Sequence, residues 1–215
     1  MHKIRLVILF FAAFLFLGDL YAQDVKIIEL LPAQTEGGKP LMQALKERKS
    51  SRDFANRQLP LQVLSNLLWA ANGINRPRIE HRTAPSAMNM QEIDIYVAKD
   101  DGLYLFDAKK NIMVQVGKED IRELTGKQDF VKDAPVNLIY VADLFRMSKA
   151  TADSIDQLAS ADAAFISQNV YLFCASEGLS TVVRGWIDKP VLEKAMKLGD
   201  GHKVIFAQSV GYPKK

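Results

Sequence analysis

The chain has 215 residues, 48% of them apolar and 25% charged, with 28 Lys and Arg against 25 Asp and Glu for a formal charge of +3. That composition supports one globular domain and excludes a disordered chain, and the near-neutral charge excludes a bulk binder of nucleic acid or other polyanions. Cys174 is the only cysteine, and His2, His81 and His202 lie far apart, so neither an intramolecular disulfide nor a metal centre is expected.

Lys3 and Arg5 precede an unbroken apolar run of 12 residues, Leu6–Leu17, and Ala22 follows at the position of a cleavage site. This tripartite pattern predicts a signal peptide over 1–22 and export to the periplasm. The run is shorter than the roughly 20 residues that cross a bilayer. Cleavage therefore leaves no membrane segment, whereas an uncut leader keeps the chain anchored. Residues 23–39 end in Glu36-Gly37-Gly38 and read as an extended arm with no core of its own, and the domain is expected over 40–215.

Within the domain, residues 41–49 predict a short helix with its basic end at the C-terminus. Pro60 opens a second helix, with Leu61, Leu64, Leu67, Leu68 and Ala71 on one face and Gly73 as its stop. Alternating patterns over 92–98, 102–106 and 112–116 predict strands, and the denser apolar run 136–142 predicts a central strand covered on both faces. Residues 162–177 are apolar almost all round, as in a helix buried within a domain or between two subunits, and Gly178 ends it. An extended piece over 180–183, a helix over 189–197 and a strand over 203–210 complete the chain. This order describes an α+β sandwich better than a doubly wound sheet.

Three clusters carry the candidate chemistry. The first, Arg48-Lys49-Ser50-Ser51-Arg52-Asp53-Phe54, brings three cations and two hydroxyls to a helix end, the mixture that binds phosphate through charge-assisted hydrogen bonds. Taken alone it reads more readily as a solvated basic helix terminus. The second, Arg82 to Gln91, is a loop of small and amide-bearing residues in which Asn89 and Gln91 offer donors and acceptors to a planar heterocycle; an ordinary turn into a strand is the plainer reading. The third, Gly178-Leu179-Ser180-Thr181-Val182-Val183-Arg184-Gly185, permits close approach of backbone to a ligand. Cys174, among apolar helix neighbours, reads as a small core hydrophobe.

In this order the segments resemble the FMN-dependent nitroreductase family, and in particular its azoline-forming dehydrogenase branch. The resemblance rests on Arg-X-Ser-X-Arg-X-Phe at 48–54, Ala-Pro-Ser-Ala-X-Asn at 84–89, Asp-Ala-Pro at 133–135, the Gly-Leu turn at Gly178 and Val-Gly-Tyr-Pro at 210–213. It implies an α-β-α sandwich with a mainly antiparallel central sheet and an interlocked homodimer holding one FMN in each of two interface pockets. By that comparison Arg48, Lys49 and Ser50 hold the phosphate and ribityl chain. Arg52 approaches N1 and O2 of the flavin, where a cation stabilises the negative charge that hydride acceptance creates.

The same resemblance places Pro85, Ser86 and Asn89 on the flavin of the partner subunit, and Gln128 at the pyrimidine edge. Val182, Val183, Arg184 and Gly185 lie beside the dimethylbenzene and N5 side, the backbone NH of Arg184 facing N5, while Lys214 and Lys215 close on the phosphate. Two departures stand out: Gln91-Glu92-Ile93 replaces a common Gln-Pro-Trp, and Arg184 stands where an acidic residue is frequent. The implied activity is two-electron transfer by way of flavin N5, from NAD(P)H to a small electron-poor acceptor such as a nitroaromatic or quinone, with no acid or base side chain named. The alternatives are a catalytically idle dimer that binds flavin or another small ligand, and an oxygen-using dehydrogenase of the azoline-forming type.

Overall fold

In the computed structural model, which describes residues 25–214, the alternating segments pair into one antiparallel sheet of seven strands. The elements in chain order are β1 (Ile27–Glu29), α1 (Leu41–Glu47), α2 (Leu61–Asn72), a small hairpin of β2 (Ile74–Arg76) and β3 (His81–Arg82), β4 (Ile93–Lys99), β5 (Gly102–Asp107), β6 (Ile112–Gly117), β7 (Val136–Asp143), α3 (Ile155–Glu177), β8 (Ser180–Arg184), α4 (Lys189–Ala195) and β9 (His202–Gly211). The strand order is β1-β6-β5-β4-β7-β9-β8. The signal-peptide segment 1–22 and Lys215 lie outside the described residues.

The dense apolar run of β7 follows from its place. It pairs with β4 on one side and β9 on the other, and seven of its eight residues are buried. Its side chains feed two cores in alternation. Val136, Leu138, Tyr140 and Ala142 face α2 and α3, whereas Ile139 and Val141 face Leu192 and Met196 on or beside α4. The sheet is thus the middle layer of an α-β-α sandwich, and each fully buried Leu or Ile on it contributes about 1.5–3 kcal/mol relative to exposure.

Residues 25–39 are drawn onto the body. Ile27–Glu29 extends the sheet along β6, Leu30 is buried in the main core, and Ser65 Oγ on α2 accepts the NH of Leu31 at 3.0 Å. Two expected boundaries shift. The first helix ends at Glu47 because Arg48 turns extended, with φ −55° and ψ 122°, and its NH bonds Ala44. The long helix begins at Ile155, seven residues before the apolar run, because Ile155 and Leu158 also pack on the core. Gly178 ends it in the left-handed region at φ 70°. Among the described residues no helix is long and apolar enough to cross a membrane.

Candidate functional site

Where α1 stops, Arg48–Phe54 runs extended and is stitched to two other segments. Ser51 donates its NH to the Thr181 carbonyl at 2.9 Å, and Ser180 Oγ bonds Ser51 Oγ at 3.1 Å. Phe54 forms a bridge to Pro213 and is buried against Ala134 and Val182. The apolar anchor is inside, so Lys49, Ser50 and Arg52 are left exposed around it. Clusters far apart in sequence, 48–54, 178–185 and 210–214, meet at one end of the sheet.

A cavity of about 470 Å³ opens there, with Lys49, Ser51, Tyr171, Gly178, Ser180 and Pro213 among its walls. Tyr171 of α3 ties the cluster together: its hydroxyl lies 2.8 Å from Ser50 Oγ and receives the Val183 NH at 3.1 Å. The Arg48 guanidinium stacks over the same ring, 5.3 Å from its centroid. Lys39 also borders the cavity and bonds Glu47 at 2.6 Å, which holds the Glu47 carboxyl below its usual range. Cys174 is buried at the wall, and burial pushes its thiol pKa up, so it carries no thiolate at neutral pH.

β8 is a sheet edge, and its two rims are set by the ladder. Thr181 and Val183 turn their backbone groups away from β9, toward Ser51 and Tyr171. The intervening Val182 and Arg184 pair with Ser209 and Ala207, so the NH of Arg184 lies on the β9 side and that of Val183 on the outer side. The Arg184 side chain turns into the protein. It is 4% exposed, donates to Thr125 O at 3.0 Å and Asn137 Oδ1 at 2.8 Å, and stacks on Phe130. Burial lowers its pKa to about 10. Gly126 is small for a reason: a Cβ there would collide with the Arg184 guanidinium and crowd Gln128. Gln128 thereby sits beside Arg184, half-buried, with Oε1 lacking a partner among the described residues. Gly185 is exposed past the end of the strand, and Lys214 is exposed next to the Phe54–Pro213 bridge.

The second cluster lies elsewhere. Its loop is anchored near the other end of α3, where Asp162 Oδ2 accepts the Ala87 NH at 2.8 Å. Asp162 and Gly178 are 16 positions apart along the chain, a span of roughly 24 Å at helical rise. Within one protomer, the loop of Pro85, Ser86 and Asn89 thus meets α3 nine positions, roughly 13 Å, before Tyr171, which touches Ser50. Met88, Asn89 and Gln91 all take positive φ, near 50°, a strained arrangement held by side chains. Ser86 Oγ accepts the Gln91 NH, and Gln91 Nε2 donates to Asn89 Oδ1 and Glu80 O. Arg82 donates to Gln91 Oε1 at 2.9 Å. The amide of Gln91 is thus spent inside the loop, and the Asn89 NH2 is the group still unbonded among the described residues.

Sequence reasoning passed over three residues here. Tyr171 looked like one more apolar helix position. Glu92 and Asp162 stood only as the first residues of an expected strand and an expected helix, and both are buried. The available signal was an ionisable residue inside each apolar stretch.

The comparisons with known proteins agree with this geometry. The profile of the Nitroreductase family matches residues 45–212. A Methanocaldococcus jannaschii protein described as a nitroreductase is 31% identical over 155 residues, covering 67% of this chain and 78% of its own. A crystal structure from Ralstonia eutropha JMP134, also described as a nitroreductase, superposes with a TM-score of 0.85 at 40% identity, covering 88% of this chain and 90% of that one. The NADPH:FMN oxidoreductase of Vibrio harveyi, solved with NAD+, shares the fold at a TM-score of 0.60 and 18% identity over 81% of this chain and 69% of its own. With its sheet order, its extended basic segment and nearly its whole domain matched in this way, the chain belongs to the nitroreductase family.

Proposed function

We propose that this protein is an FMN-dependent oxidoreductase, acting as a homodimer that moves two electrons from NAD(P)H to a small electron-poor acceptor such as a nitroaromatic or quinone. The observation that carries the reading is the cavity where Arg48–Ser51 meets β8 and the C-terminal Gly-Tyr-Pro. Its donor set suits a phosphate ester: the Lys39 and Lys49 ammonium groups and the Ser51 and Ser180 hydroxyls line it, and the Arg48 guanidinium and Ser50 hydroxyl adjoin it on Tyr171. Family membership supports a flavin as the molecule that carries that ester.

When bound, FMN supplies the electron-transfer chemistry at N5. The protein binds and orients it. Arg48, Lys49 and Ser50 hold the phosphate and ribityl chain, with Lys214 at the rim. Arg52, exposed on the same segment, places positive charge beside the pyrimidine edge, and Gln128 offers its free Oε1 to that edge. Val182, Val183, Arg184 and Gly185 supply the backbone beside the ring.

Separation of the loop from the cavity along α3 favours a dimer in which Pro85, Ser86 and Asn89 reach the partner's cofactor. The exposed face of α3 and α1 fits this, with Phe165 48% exposed and Met42 75% exposed. Export through the leader at 1–22 to the periplasm, and kinship with the azoline-forming branch, belong to the same reading.

Absorbance of the purified protein after incubation with FMN and gel filtration tests it. Co-eluting flavin bands that bleach under NADPH without oxygen support an active reductase. Bands that resist both nicotinamides support a binding-only dimer. Peroxide formation without nicotinamide supports the oxygen-using form, and a colourless protein removes the flavin reading.

A further inference from the structure

The hydroxyl of Tyr171 sits between one backbone donor and one other hydroxyl. Its oxygen receives the Val183 NH at 3.1 Å and lies 2.8 Å from Ser50 Oγ. Tyr171 is only 7% exposed, and a buried phenol proton needs an acceptor. Among the described residues Ser50 Oγ is the acceptor within reach. The bonds therefore run from Val183 N–H to Tyr171, and from Tyr171 O–H to Ser50. A serine hydroxyl that already accepts has its own proton left to give. Ser50 is exposed, so that proton is presented to the site. Arg48, stacked on the Tyr171 ring, adds a cation beside it.

A site lined by a cation and by a hydroxyl held in the donor sense suits an oxygen that only accepts. A phosphate monoester is such a group, because its second ionisation lies below neutral pH. A sugar-alcohol hydroxyl gives as readily as it takes. We propose that Tyr171 is a positioning residue which, by holding Ser50 as a donor, makes the site prefer a phosphorylated flavin over its unphosphorylated form. The proposal rests on the FMN reading above. It adds a residue acting through Ser50 and a specificity that follows from it.

The test is a set of fluorescence titrations of the full-length protein with FMN and riboflavin side by side. Wild type should bind FMN more tightly than riboflavin. Tyr171→Phe keeps the ring, its packing and the Arg48 stacking while removing the relay. It should weaken FMN about tenfold, as for loss of one hydrogen bond to a charged group, and leave riboflavin within about twofold. Ser50→Ala, at an exposed position, should narrow the preference in the same way and serves if Tyr171→Phe does not fold. Adding Tyr171→Phe to Ser50→Ala should cost FMN nothing more. Equal loss for both flavins in these variants marks a merely structural role and overturns the proposal, as does an unchanged preference. Wild type binding neither flavin overturns the FMN reading itself, a result distinguishable from either.

Discussion

Arg184 donates to Asn137 Oδ1 at 2.8 Å in the interior, with no carboxylate paired to it among the described residues. Asn137 is placed to accept because Ser209 Oγ and Arg184 converge on its oxygen while its own NH2 goes to Val131 O at 2.8 Å. A buried cation bonded by carbonyls alone is costly to desolvate, the more so as its Nε has no partner among the described residues, and its bonds to Thr125 and Asn137 offset part of that cost. Arg184→Met keeps most of the volume and removes the charge together with two bonds. Urea denaturation should show a loss of about 1–3 kcal/mol. A more stable variant would mean that desolvation outweighs the bonds.

Glu92 is fully buried, neither carboxylate oxygen has a partner among the described residues, and Asp162 is its neighbour. Burial first, and the Asp162 carboxylate after it, push its pKa up to about 7, while Arg146 pulls the other way. The folded protein then keeps a proton that the unfolded chain releases near 4.5. The stability Glu92 contributes is present below that value and is lost as pH rises through about 7. Glu92→Gln should gain on wild type by roughly 2 kcal/mol between pH 5 and pH 8, because part of the shift is already spent at pH 5. Urea midpoints at the two pH values check this, and parallel curves would rule it out.

Arg48 carries the clearest binding prediction. Arg48→Ala removes the guanidinium that the proposed site sets against the FMN phosphate and should weaken FMN by about 1.5–3 kcal/mol. Unchanged affinity in a flavin titration would remove the phosphate assignment from this segment.

The homodimer proposed above is tested on the outer face of α3. Phe165, Asn169, Leu172 and Ser176 follow one another at helical spacing and are half-buried or exposed in the single chain. Phe165→Asp leaves the core alone and should shift the sedimentation mass from dimer toward monomer, with the circular dichroism spectrum retained. A dimer that persists would place the interface elsewhere.

The elements were largely legible. A strand or amphipathic helix declares itself through near neighbours, which is why 61–72, 102–107 and 136–143 emerge within a residue or so of expectation. The three clusters and the family resemblance are likewise properties of short local strings. Residues 27–29 escaped notice because three residues carry too little alternation to announce a strand, and β6 supplies their pairing from far along the chain.

The site itself was decided by contacts between residues far apart in sequence. Arg48–Phe54 and Ser180–Arg184 are separated by more than a hundred residues, and the bonds of Ser51 to Thr181 and Ser180 set them side by side. The same holds for Tyr171, whose hydroxyl gains meaning only once Ser50 and Val183 flank it. Arg184 points inward because strand alternation fixes its face and Thr125 and Asn137 wait there. The sequence determined the parts, since periodicity and turn chemistry act over a few residues. The tertiary structure alone decided which polar groups share a buried volume, because burial and hydrogen-bond partnership depend on everything that packs around them.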